Sequence, residues 1–394
     1  MKRRRTYLLL FGIILTLFAG FQIGFRYLMA YMWYPQTFAV ILGDVDGDGD
    51  LDAFVANGHT DDTGELNTVW LNDGLGGFED SSQRLGSSCC NSNDSRAADL
   101  QDLDKDGDLD AIVANSGWMS YDAVWLNTGD GRFVAGPTLK NYHNTNISVA
   151  MVVGDLDGDT DLDAWIVDHG QISFGPNAPF TETIDSFSTV WLNEGDGNFR
   201  DSGQRLGQWQ GQGVAIADVD NDRDLDALIL NGESPNTIWT NDGSATFSQS
   251  DHTIGSGVGY TADFGDLDSD GDLDAFIGND GPNEIWMNDG SGKFEDSGRR
   301  LGDSMTRSVT FADLNGDTLL DVLVIDRRAF TAWLNDGSGE LNATRQWGQS
   351  YSDQYAVTSG DVDGDGDLDV IAIRFSGHYR VWLNNGQGKF NRVY

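Results

Sequence analysis

The sequence predicts an all-β fold: a seven-bladed β-propeller of four-stranded antiparallel blades, preceded by one N-terminal transmembrane helix. Three observations predict it. A nine-residue acidic pattern, Asp-x-Asp-x-Asp-x-x-x-Asp, begins at Asp44, Asp102, Asp155, Asp218, Asp266, Asp313 and Asp361, with one Asn replacement. The copies recur about every fifty residues, a period of repeat arrays and propellers rather than of an ordinary core. A basic cluster and an apolar run open the chain.

The apolar run comes first. Lys2, Arg3, Arg4 and Arg5 precede Tyr7 to Phe25. At helical rise this run spans roughly 28 Å, close to the ~30 Å of a bilayer's hydrocarbon. Basic residues stay cytoplasmic, which sends the rest of the chain across. A cleaved signal peptide is the competing reading, but its apolar region is usually shorter and ends in a small-x-small site. A cut after Ala30 would have Leu28 where a small residue is wanted. Tyr31, Trp33 and Tyr34 suit an interfacial aromatic belt. The expected division is a cytoplasmic basic stub at 1–6, a signal anchor at 7–33, a linker at 34–37 and the propeller at 38–394. The propeller then lies outside the cytoplasm, on a single-pass membrane protein or, after cleavage, a secreted one.

Composition narrows the partners. The net charge of −39 over 394 residues makes nucleic acid a poor one. Gly is abundant at 50 residues and Pro scarce at 6, which fits many tight β-turns. The two cysteines, Cys89 and Cys90, are adjacent, so they build no disulfide framework; they are free thiols or a strained vicinal disulfide.

The fifth repeat shows one blade. Thr261–Gly265 is a short strand leading into the loop Asp266–Asp274. Leu273–Gly278 is a second strand, and Asn279–Pro282 is a turn. Glu284–Asn288 is a third strand, Asp289–Gly292 a tight turn, and Lys293 begins a fourth strand. The third strand recurs around Trp70, Trp125, Trp191, Trp239, Trp286, Trp333 and Trp382, each followed two places on by Asn. Seven tryptophans in one register read as packing between blades. Phe78, Phe133, Phe199, Phe247, Phe294 and Phe390 follow and belong to the same layer.

Four or five acidic side chains within nine residues repel one another unless a cation sits among them. Oxygen-only ligands at this density suit Ca²⁺ above all. An EF-hand is excluded, because position twelve of the first loop is Val55, inside a strand, where an EF-hand needs Glu.

These loops and Trp strands, from about Thr37 to Tyr394, resemble the FG-GAP (VCBS-type) repeat proteins, whose relatives include the N-terminal propellers of integrin alpha subunits. The resemblance implies seven blades with Ca²⁺ between the first and second strands of each. It implies that carboxylates at loop positions one, three, five and nine bind the ion while position seven offers its carbonyl. The implied ligands are Asp44, Asp46, Asp48 and Asp52, then Asp102, Asp104, Asp106 and Asp110. The third and fourth loops give Asp155, Asp157, Asp159 and Asp163, and Asp218, Asp220, Asp222 and Asp226. The fifth and sixth give Asp266, Asp268, Asp270 and Asp274, and Asp313, Asn315, Asp317 and Asp321; the seventh gives Asp361, Asp363, Asp365 and Asp369. Up to seven structural ions are expected, with no open position for catalysis.

Position six calls for positive φ, which Gly49, Gly107, Gly271 and Gly366 supply and Thr160, Arg223 and Thr318 do not. Weaker binding is therefore expected in the third, fourth and sixth loops. Arg223 adds a nearby cation, and Leu319 removes a negative charge from the sixth loop.

Antiparallel order puts the acidic loops and the Asn-Asp-Gly turns on one face. The irregular segments fall on the other: His59–Asn67, Gly117–Asp122, the long His169–Ser188, and the blade connections with Cys89, Cys90, Trp209, Tyr260 and Tyr351. A protein or glycan partner is expected there. The five histidines (His59, His143, His169, His252, His378) fall in no nucleophile or metal spacing, and no phosphate-binding Gly loop is found. The sequence thus reads as a calcium-binding adhesion or binding module rather than an enzyme; the alternative is a lectin or a polysaccharide-cleaving enzyme on the same scaffold.

Overall fold

Short apolar strands separated by Gly, Asn and Asp turns pair with their sequence neighbours, and the chain becomes a wheel of hairpins. The computed structural model describes residues 36–58, 66–86, 94–118, 121–140, 145–169, 187–207, 211–232, 234–326, 329–348, 355–374 and 378–394. These form 28 strands in seven antiparallel blades of four. Each blade runs in order from an inner strand to an outer one. The first is Gln36–Gly43, Asp52–Gly58, Thr68–Asn72 and Phe78–Asp80, and the last ends at Asn391–Arg392. The fifth blade matches its sequence reading within a residue or two, with strands Gly259–Gly265, Asp274–Asn279, Asn283–Asn288 and Phe294–Leu301. The first strand starts at Gln36, two residues before the expected boundary.

The second strand of each blade is buried over most of its described residues because both its faces meet neighbouring blades. Asp226–Asn231 and Asp274–Asn279 are buried at every position. The seven hydrophobic clusters are the seven junctions between consecutive blades. The Trp of each third strand packs on the blade before it. Trp382 meets Phe330 edge-on at 5.6 Å, and Trp239 joins a cluster with Trp165 and Val167 of the preceding blade. The outer-strand Phe does the same: Phe133 reaches back to Phe54 at 5.7 Å, and Phe390 to Phe330 at 5.1 Å. Leu341 takes this place in the sixth blade.

The wheel closes without exchanging a strand. The seventh blade is built wholly from Tyr355–Gly360, Asp369–Arg374, His378–Leu383 and Asn391–Arg392. It meets the first blade through Val40, Val55, Trp70 and Phe78 against Ala356, Val362, Ile371 and Val381.

One feature departs from seven separate sheets. The inner strand of the third blade, Thr145–Gly154, extends far enough to pair also with the second strand of the second blade, Asp110–Trp118. The register is Ser116↔Ile147, Gly117↔Asn146 and Trp118↔Thr145, which joins blades two and three into one eight-stranded sheet.

The expected membrane anchor, the Cys89–Cys90 pair, and most of the long loops after His59 and His169 lie outside the described residues. Among the described residues no helix is long and apolar enough to cross a membrane.

Candidate metal centres and the blade junctions

Each acidic loop is a tight reversal between an inner strand and the buried second strand. Its first carboxylate organises the backbone. Asp44 accepts from the N–H groups of Gly47 (2.8 Å), Asp48 (3.1 Å) and Gly49 (3.0 Å). Asp361 repeats this with Gly364, Asp365 and Gly366. In the sixth loop burial pushes Asp313 up, but N–H groups from Thr318, Gly316, Asn315 and Asp317 outweigh it and hold the carboxyl below its usual range.

The ninth position is the loop's anchor. Asp52, Asp110, Asp163, Asp226, Asp274, Asp321 and Asp369 are all buried. Asp52 accepts from the Val45 N–H at 3.1 Å and the Asn72 N–H at 2.8 Å, and the other six repeat this pair of bonds. Burial nevertheless raises Asp52, Asp110, Asp226, Asp274 and Asp321 to about 6. Asp163 and Asp369 rise to about 7 for the same reason. At position three, burial and then the neighbouring position-five carboxylate raise Asp46, Asp104, Asp157, Asp220, Asp268 and Asp363.

Carboxylate oxygens converge within 4.8 Å of one another in Asp44/Asp46/Asp48, Asp102/Asp104/Asp110, Asp155/Asp157/Asp163, Asp218/Asp220/Asp222 and Asp266/Asp268/Asp274. Several Asp-rich clusters can therefore coordinate a metal ion. The residues fit one on a second ground. The Oδ1 atoms of Asp102, Asp220 and Asp363 are buried and have no hydrogen-bond partner, and an oxygen-only donor set is the chemistry of a hard cation.

Backbone strain is spread more widely than position six suggests. Thr160, Arg223 and Thr318 do adopt φ of 75°, 80° and 73°. Position four is left-handed as well, at Lys105 (62°), Asn221 (63°) and Ser269 (63°) where other loops have Gly. The first and seventh loops are free of non-Gly strain, and the fourth carries two strained residues.

Three contacts between loops and blades were not read from the sequence. The Asn after each Trp staples two blades: its N–H donates to the ninth-position Asp of its own loop, while its side-chain amide reaches the preceding blade's loop. Asn127 Nδ2 meets the Val45 carbonyl at 2.7 Å, Asn241 meets Leu156 at 2.8 Å and Asn288 meets Val219 at 2.8 Å. Position four braces the next loop in two places. Lys105 pairs with Asp161, and Asn221 Nδ2 donates to Asp272 at 2.9 Å. Third, Gln83 spans a junction, donating to the Gly131 carbonyl at 2.6 Å and accepting from the Phe133 N–H at 2.9 Å. Gln204 does the same with Ala245 and Phe247. The repeated Gln-Arg-Leu-Gly at 83–86 and 204–207 was the available signal.

The FG-GAP-like repeat model matches residues 44–113, 102–166, 218–277, 266–324 and 313–372, more than half of the chain. Each match begins at position one of an acidic loop. The chain belongs to the FG-GAP-like repeat family.

Its propeller is similar in fold to the BP39L lectin of Burkholderia pseudomallei, at TM-score 0.61 and 12% identity, covering 92% of this chain and 99% of that one. It is similar to an Agrocybe aegerita lectin recognising non-reducing terminal N-acetylglucosamine, at TM-score 0.52 and 17% identity over 80% and 81% of the two chains. BBS1N, solved in complex with ARL6DN, shares the fold at TM-score 0.56 and 12% identity over 89% and 93%. No curated protein matches the sequence.

Proposed function

We propose that this protein is a calcium-stabilised propeller, tethered to a membrane outside the cytoplasm, that binds a glycan without turning it over. The reading rests on how the wheel divides its work. The acidic loops and the Asn staples share one face and hold the ring together, as when Asn288 of one blade bonds the Val219 carbonyl in the loop of another. The other face carries the segments of unequal length and is free to recognise a ligand.

Ca²⁺ is the cation that suits the donor sets, with Asp at positions one, three, five and nine as ligands and the sixth loop using Asn315. Its part is to neutralise carboxylates that repel and to pin each reversal. Two fold relatives are lectins, which favours a sugar as the partner. The test is a glycan array read with the full chain in detergent, in millimolar calcium and again in chelator. Saturable binding that needs calcium supports the reading, and no saccharide binding in calcium removes it.

A protein partner, as for an integrin-alpha-like adhesion module, is the second reading. It is favoured by the single long segment at 170–186 and by BBS1N having been solved with a protein partner. A calcium-dependent pull-down with no glycan binding selects it.

A further inference from the structure

The junction of blades three and four holds a cleft. A cavity of about 490 Å³ opens there, between the segment that follows the outer strand Phe199–Asp201 and the hairpin of Asn236–Asn241 with Phe247–Ile254. This size suits one or two sugar residues. We propose that this cavity holds one neutral sugar unit. The proposal rests on the glycan reading above and assigns it a place and a ligand class.

The lining is already set for such a ligand. Trp239 contributes an apolar ring, locked by its Nε1 donating to Thr237 Oγ1 at 3.1 Å. Most of the ring is buried against the preceding blade, so what it gives the cavity is a rigid apolar wall. Asn231 is also fixed, donating to the Pro235 carbonyl at 2.9 Å. Gln249 and Thr253 stand exposed on the outer strand, and neither side chain has a hydrogen-bond partner among the described residues. Their amide and hydroxyl are free to meet sugar hydroxyls.

Charge decides the ligand class. Arg205 lines the cavity, but Asp201 already holds its guanidinium through two bonds of 3.0 and 2.7 Å, and the Gln204 carbonyl takes a third at 2.7 Å. The guanidinium's charge is met before a ligand arrives. The protein as a whole repels anions at a net charge of −39. An acidic sugar gains no unpaired cation here, and a neutral one loses nothing.

The repeats supply an internal control. In register opposite the third-strand Trp, blade four places the uncharged Gln249, where blades two and six have Ala135 and Ala343 and blades one, three, five and seven have the charged Asp80, Asp201, Asp296 and Arg392. Opposite Thr138 in blade two lies Ala123, where blade four has Thr237 facing Thr253. Blade four alone pairs its Trp with an uncharged polar side chain, which points to one site of this kind per chain.

The test uses the full chain in detergent with millimolar calcium. A glycan array of neutral and acidic saccharides identifies the best neutral binder, and calorimetry then measures it against Gln249→Ala and Thr253→Val. Both positions are exposed, so the melting temperature should not move. The proposal expects one site per chain and about tenfold weaker binding in each variant, the loss of one hydrogen-bond set. Saturable sugar binding unchanged in both variants overturns this cavity while leaving the glycan reading intact. A preference for acidic sugars overturns the ligand class. No binding to any saccharide overturns the glycan reading itself and this site with it.

Discussion

The side-chain amide of Asn72 donates to the carbonyl of Val362 at 2.9 Å, across 290 positions of sequence. This bond closes the wheel. It repeats the staple made at every other junction, but here no chain links the two blades directly. Asn72→Ala would leave the buried Val362 carbonyl and the part-buried Leu51 carbonyl without that partner, at a cost of about 1–3 kcal/mol. At the second junction Asn193→Ala should cost less, because blades two and three are also joined by Ser116↔Ile147 and its neighbours. Denaturant unfolding of both variants in calcium checks this order. Equal losses would show that the seam is no weaker than the rest.

Acidity and calcium should act in opposite directions. Without metal, burial holds Asp52 near 6 and Asp163 and Asp369 near 7, above the 3.8 of a free side chain. Between about pH 4 and 7 the native state then binds more protons than the unfolded chain, so the stability of the metal-free protein falls as pH rises through that window. On the reading proposed above, calcium takes the deprotonated carboxylates and should reverse the trend. In chelator the melting temperature should be higher near pH 5 than near pH 7.5. The gain on adding calcium should be larger near pH 7.5. Scanning calorimetry at both values reads the two signs, and a metal-free protein that stabilises with rising pH would contradict them.

Arg223 combines a left-handed backbone, φ 80°, with a charge beside the fourth acidic loop. Arg223→Gly should relieve about 1 kcal/mol of strain and tighten calcium binding there, raising the melting temperature in calcium. Asn221→Gly relieves similar strain at φ 63° but also removes the brace to Asp272, so it should gain less. Thermal shifts of the two variants at fixed calcium distinguish them, and a larger gain for Asn221→Gly would contradict the bracing role.

Gln83 satisfies two backbone groups of the next blade, the Gly131 carbonyl and the Phe133 N–H. Gln83→Ala strands both and should cost about 1–3 kcal/mol, whereas replacement of exposed Gln387 on the same wheel should cost almost nothing. Urea midpoints measure the contrast, and a neutral Gln83→Ala would mean that water serves these groups as well.

What the sequence disclosed was whatever repeats within one blade. The acidic positions, the Trp register and the turn after Asn288 each follow from local spacing, and the strands of the fifth blade fall within a residue or two of their reading. Contacts between blades were hidden. That the Asn127 amide reaches the Val45 carbonyl depends on how far one blade is rotated from the next, and no local pattern encodes that angle. The left-handed turn at Lys105 was missed for another reason: the eye follows Gly at position four in other copies and passes over the copies where a strained residue earns a cross-loop partner. The pairing of Gly117 with Asn146 was out of reach, because both sit in segments that sequence alone reads as loops.

The eight-stranded sheet has a mechanical consequence. Elsewhere the junctions are held by side chains, by single backbone bonds such as those from the Ala245 N–H to the Leu156 carbonyl and from the Gly388 N–H to the Leu314 carbonyl, and, on the reading above, by ions; between the second and third blades a three-pair backbone ladder knits them as well, and no chelator removes it. A wheel stripped of its cations should therefore rupture unevenly, with that pair of blades parting last and the splice near Asn72 opening first.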